Sequence, residues 1–123
     1  ELAVNVAGLA EIYRRRHNFP RAEQMYKEAM RLYEKSVRKN LFLFSQGVFD
    51  ERKLAREVES LFRCIAGLAE TYDAQKKFNA TRDLYETAMG LWTEIADKSN
   101  HRIDEMLQSI IDRYVAIIKT MRP

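Results

Sequence analysis

His17 and His101 are the only histidines of the chain and Cys64 its only cysteine. The histidines stand far apart, and neither is joined by the cysteine at the spacing by which a structural or catalytic metal is held. Cys64 falls between Leu61 and Leu68 at helical spacing, which makes it a small core residue rather than a nucleophile. Glu57 and Glu59 form the nearest thing to a carboxylate pair, and they read as ordinary helix surface. No glycine-rich phosphate loop and no nucleophile elbow is present. These residues predict no enzyme, no cofactor and no metal. The densest charge is the run Arg14, Arg15, Arg16, His17, which is either a solvated helix end or a contact for an acidic segment. The 21 basic and 18 acidic residues are interspersed with a net charge of +3, so a nucleic-acid partner is disfavoured.

The elements that carry these residues follow from composition and spacing. The chain has 123 residues, 46 % hydrophobic and 32 % charged, with four Gly and two Pro; that balance predicts one all-α domain of long helices. No run approaches the ~18 apolar residues that a membrane span needs. No signal peptide is visible, and the single cysteine leaves no internal disulfide to form, so a cytoplasmic location is expected. The chain begins at Glu1, already inside an apolar-periodic stretch, and is expected to be a segment of a longer protein.

Leu2, Val6, Leu9, Ala10 and Tyr13 predict a first helix over about 2–16. Pro20 opens a second that ends near Lys39. An apolar connection at 40–49 follows. Asp50 should cap a third helix running to about Ala74, and a fourth covers about 79–97. Ile103, Met106, Leu107, Ile110, Ile111, Tyr114 and Ile117 predict a fifth over about 100–121.

Laid over itself at an offset of 59 residues, the chain repeats without a gap. Ala7/Ala66, Gly8/Gly67, Leu9/Leu68, Ala10/Ala69, Glu11/Glu70, Tyr13/Tyr72, Phe19/Phe78, Tyr26/Tyr85, Ala29/Ala88, Met30/Met89 and Leu32/Leu91 coincide. Within each copy a Leu-Ala pair precedes a tyrosine by three residues, and small and aromatic residues follow at fixed positions. In the first copy these are Leu9, Ala10, Tyr13, Ala22, Tyr26 and Ala29. The pattern resembles the tetratricopeptide repeat, with Val6 and Ile65 in place of that family's Trp and Glu34 and Thr93 in place of its Pro. The offset exceeds the usual repeat of about 34 residues, and the following separation of 26 from Ala88 to Tyr114 resembles the longer repeats of kinesin-light-chain-like proteins.

The resemblance implies an α-solenoid. Two stacked helix-turn-helix units, about 2–39 and 50–98, would be followed by a capping helix over about 100–121, forming a right-handed superhelical segment. It also implies non-enzymatic binding of a protein or peptide in a concave groove. Groove positions map onto Val4, Ala7, Gly8, Glu11, Arg14 and Arg15 in the first unit, then onto Arg63, Ala66, Gly67, Glu70, Asp73 and Ala74. Glu11 and Glu70 stand where chaperone-tail-binding members carry carboxylate-clamping residues, so an amphipathic helix is the preferred ligand. A helix-interior glycine costs about 1 kcal/mol relative to alanine. Gly8 and Gly67 therefore imply close approach, either by a partner backbone or within the chain itself. Phe42, Phe44 and Phe49 in the connection are either an extension of the core, which is favoured, or an apolar anchor for a partner. Two other readings stand beside this one. In one the chain self-associates or regulates a larger protein from within; in the other it is a three-helix module of the microtubule-interacting-and-transport type, which would lack the duplicated block.

Overall fold

A computed structural model describes residues 2–48, 50–99, 108, 112–114, 116 and 117. Among them four helices follow one another: α1 (Leu2–Arg15), α2 (Phe19–Ser45), α3 (Glu51–Ala74) and α4 (Phe78–Lys98). The fold is an all-α solenoid in which each helix packs on the next, with α2 seated against both α1 and α3. Of the fifth helix expected over about 100–121, the few described residues are helical, and the remainder lies outside the described residues.

The two hairpins turn by the same backbone device. At the end of α1 the Asn18 N–H donates to the Tyr13 carbonyl (2.9 Å) and the His17 N–H to that of Arg14 (3.0 Å). Fifty-nine residues on, Lys77 donates to Tyr72 (2.9 Å) and Lys76 to Asp73 (3.0 Å). These pairs satisfy the last helical carbonyls in a Schellman closure, which places one residue in the left-handed region. His17 (φ 61°) and Lys76 (φ 59°) take that conformation without being glycine. The end of α2 closes likewise through Gly47 (φ 76°), with Val48 bonded to Leu43.

Small residues set how closely the helices approach. Ala10, Ala22 and Ala29 of the first hairpin and Ala69, Thr81 and Ala88 of the second are fully buried. Around them the largest enclosed side chains are Phe62, Leu41, Leu54, Leu61, Ile65 and Leu68. Pro20 lies in the first turn of α2, and the Asp50 carboxylate caps α3 by accepting from the Arg52 N–H (2.7 Å).

The second helix passes its expected end at Lys39 and runs to Ser45. Leu41 and Phe44 extend the stripe of Tyr26, Met30, Tyr33 and Val37 at steps of three and four, and nothing breaks the helix before Gly47. Residues 40–45 are therefore helix rather than connection. Phe44 is buried, in line with the favoured core reading and against its alternative as an anchor; Phe42 points to solvent on the opposite face, and Phe49 lies outside the described residues. Asn40 is carried inward with the stripe. Its amide and the Ser36 hydroxyl both donate to the Glu57 carboxylate of α3, which satisfies the buried amide.

Candidate protein-binding groove

The first helices of the two hairpins, α1 and α3, lie on the same side of α2 and enclose a cavity of about 580 Å3. From α1 it is lined by Val4, Ala7, Gly8, Glu11, Arg14 and Arg15, and from α3 by Arg63, Ala66, Gly67 and Glu70. Helical periodicity accounts for this set, since steps of three and four along each helix share a face. Asp73 and Ala74 are exposed and do not line the cavity.

The spacing argument missed four contributors to the wall. Tyr26 and Tyr33 rise from α2 beneath, and Ser60 and Cys64 complete the α3 side. Cys64 was read as core, and it and Tyr26 are both buried, but each also lines the cavity. Tyr114 and Ile117, assigned above to a capping helix, also reach the same space.

The charges of the groove are paired among themselves. Arg14 donates to Glu11 (2.5 Å), contacts Glu70 across the cavity (2.9 Å) and donates through Nε to the Tyr26 hydroxyl (3.2 Å). The Tyr26 hydroxyl in turn donates to the other Glu11 oxygen (2.7 Å), and Arg15 adds a contact at 3.1 Å. Burial pushes the Glu11 carboxyl upward, but the hydrogen bonds from Tyr26 and Arg14 outweigh it and hold the group below its ordinary value. Burial and the bond to Glu11 push the Tyr26 phenol well up, so it remains a donor. The two glutamates that stand at equivalent positions are thus bridged by one guanidinium rather than left as bare acids.

At the other end of the cavity Arg63 donates to Glu59 (2.9 Å) and through Nε to the Tyr114 hydroxyl (3.3 Å). Cys64 is buried beside the same cavity. Burial pushes its thiol up to about 12, so it is protonated at neutral pH and is no activated nucleophile.

The glycines behave differently. A methyl group added at Gly67 would sit 2.5 Å from Cε1 and Cζ of Tyr26, whereas one added at Gly8 would meet no described atom within 4 Å. Gly67 therefore serves packing inside the chain, and Gly8 has no such neighbour among the described residues.

Residues 7–37, which span α1 from its second turn and most of α2, match the family model of the tetratricopeptide repeat. That stretch is a tetratricopeptide repeat. No curated protein and no solved structure matches it. Repeats of this type act as protein–protein interaction modules, and the matched stretch contains Ala7, Gly8, Glu11, Arg14, Arg15, Tyr26 and Tyr33 of the groove. None of the helices in the described residues is long and apolar enough to cross a membrane.

Proposed function

We propose that this tetratricopeptide-repeat chain is a non-enzymatic recognition module that takes an α-helix of a partner protein in the groove between α1 and α3. The supporting observation is the lodging of Tyr114 and Ile117 there. Both residues are helical, they stand three positions apart on one helical face, and Tyr114 is buried with its hydroxyl bonded to Arg63. A groove that accepts an aromatic and an aliphatic side chain from one helix has the width and polarity for an amphipathic ligand. Because Glu11 and Glu70 are engaged by Arg14, the attraction would come from apolar surface and from the guanidinium of Arg63 rather than from free carboxylates.

Substituting Glu11 would disturb the packing of the first hairpin, so exposed positions make the better test. A Val4→Glu, Arg63→Glu double variant should keep the parent's helical circular dichroism and melting temperature. It is expected to lose a partner helix that the parent captures by about tenfold or more. Undiminished capture by the double variant would remove the groove as the binding site.

A further inference from the structure

Phe42 in the last turn of α2 and Val48 in the turn that follows expose 64 % and 65 % of their surface. Neither lines the groove or the smaller cavity between α2 and α4, so both protrude where α2 passes into α3 rather than border a recess.

The side chains around them are cationic. α2 and α3 run antiparallel, since Glu23 near the start of α2 meets Lys77 just beyond the end of α3, and Asn40 meets Glu57 near the start of α3. At this second contact the residues that follow the bonded pair, Leu41 and Val58, are buried, and those that precede it, Lys39 and Arg56, are exposed. One step back along each helix of an antiparallel pair turns to the same side, so Lys39 and Arg56 look outward together. Lys35 and Phe42 share the face of Lys39 at steps of four and three, and Arg52 and Lys53 share that of Arg56 at the same steps.

None of these five cations makes an ion pair among the described residues. The acids nearby are engaged or turned away. Glu57 accepts from Ser36 and Asn40, Asp50 caps the Arg52 amide, and Glu59 pairs with Arg63. Glu51 stands on the inner side of α3 with Leu54, Ala55 and Val58, at steps of three, four and seven. The face is therefore positive without local compensation, and apolar side chains project from its edge.

We propose that this end of the molecule docks peripherally on an anionic lipid surface. The cations of α2 and α3 meet the headgroup phosphates and carboxylates, and Phe42 and Val48 enter the boundary between headgroups and acyl chains. A peptide ligand needs a recess to enclose its side chains, whereas a bilayer needs only a protruding tip with charge around it. The surface is separate from the groove between α1 and α3, so the two can be tested independently.

The probe is a set of phosphatidylcholine vesicles with and without phosphatidylserine, floated with the full chain. Binding is expected only where phosphatidylserine is present. Lys39→Glu, Arg56→Glu should weaken it about tenfold or more, and Phe42→Ser about fivefold, with helical circular dichroism unchanged. Lys76→Glu, Arg82→Glu removes the same charge from exposed positions beyond the other end of α3 and on α4, and should leave binding as it was. Failure of the parent to bind, equal binding after reversal at Lys39 and Arg56, or an equal loss after reversal at Lys76 and Arg82 overturns the proposal. A labelled polyglutamate peptide reads the competing occupant: saturable binding lost in the Lys39→Glu, Arg56→Glu variant, with no capture of vesicles by the parent, would give the face to an acidic protein segment and overturn the assignment to lipid.

Discussion

The first and second hairpins share a backbone and differ in the work of their polar side chains. In the first, Arg14 ties Glu11 to Tyr26 within the hairpin and reaches Glu70 in the next. In the second, Asp73 occupies the position of Arg14 and lies exposed, so that hairpin sends no cation from this position across the groove. Tyr13 and Tyr72 tell the same story. Tyr72 is buried, with the Lys27 ammonium of α2 above its ring at 5.8 Å, whereas Tyr13 is half-buried beneath Arg21 of its own hairpin at 5.9 Å. Duplication supplies the apolar frame, and each copy's side chains are then shaped by the neighbour it has. A matched residue in the two hairpins is consequently a poor guide to matched energetics.

Substitution at the glycines should break this symmetry most visibly. Gly67→Ala forces a methyl group into the Tyr26 ring, whose hydroxyl is held by Glu11 and Arg14, and is expected to destabilise the chain by about 2 kcal/mol. The same change at Gly8 meets no described atom and should stabilise by up to about 1 kcal/mol. Urea denaturation of the two variants would read opposite shifts in midpoint, and shifts of one sign would show that the positions are equivalent after all.

The polar network gives a smaller, pH-dependent contrast. Since the folded Glu11 carboxyl titrates below its ordinary value of 4.5, its contribution is fully present above that value and is lost as pH falls through the lowered one. Stability therefore rises with pH across that window, where the unfolded chain binds more protons. Glu11→Gln should flatten this part of an acid-denaturation profile while costing about 1 kcal/mol at neutral pH. An unchanged acid limb in the variant would mean that another carboxylate carries the effect.

The turns should differ least. His17 and Lys76 both sit in the left-handed region, so His17→Gly and Lys76→Gly are each expected to stabilise by about 1 kcal/mol. Thermal melts that rise for one variant and fall for the other would show that one of these side chains makes a contact worth more than its strained backbone.

Much of the architecture was legible because apolar residues recur at three and four along all four helices, and because the copies could be laid over one another. The end of α2 was not. Leu41–Phe44 is an unbroken apolar run with no period, and only folding distinguishes Leu41 and Phe44, which continue the stripe, from Phe42, which leaves it. Ten of the twelve groove positions read from spacing line the cavity, since they lie on one face of each helix; Asp73 and Ala74 are the exceptions. The partners of those residues were hidden. Nothing in the sequence links Arg14 to Glu70, or Asn40 to Glu57, because cross-helix pairing depends on register and not on local spacing. The two roles of Gly8 and Gly67 were equally open for the same reason.

The 27 residues of α2 make a rod about 40 Å long that both hairpins lean on. The repeat boundary near Gly47 is for that reason a poor place to cut. A piece ending there would strip α2 of one flank, and the remainder would lose the wall that encloses Phe62 and Leu61. Hydrogen exchange should accordingly find the slowest amides in the middle of α2 and α3 together, melting as a single cooperative block that straddles the repeat.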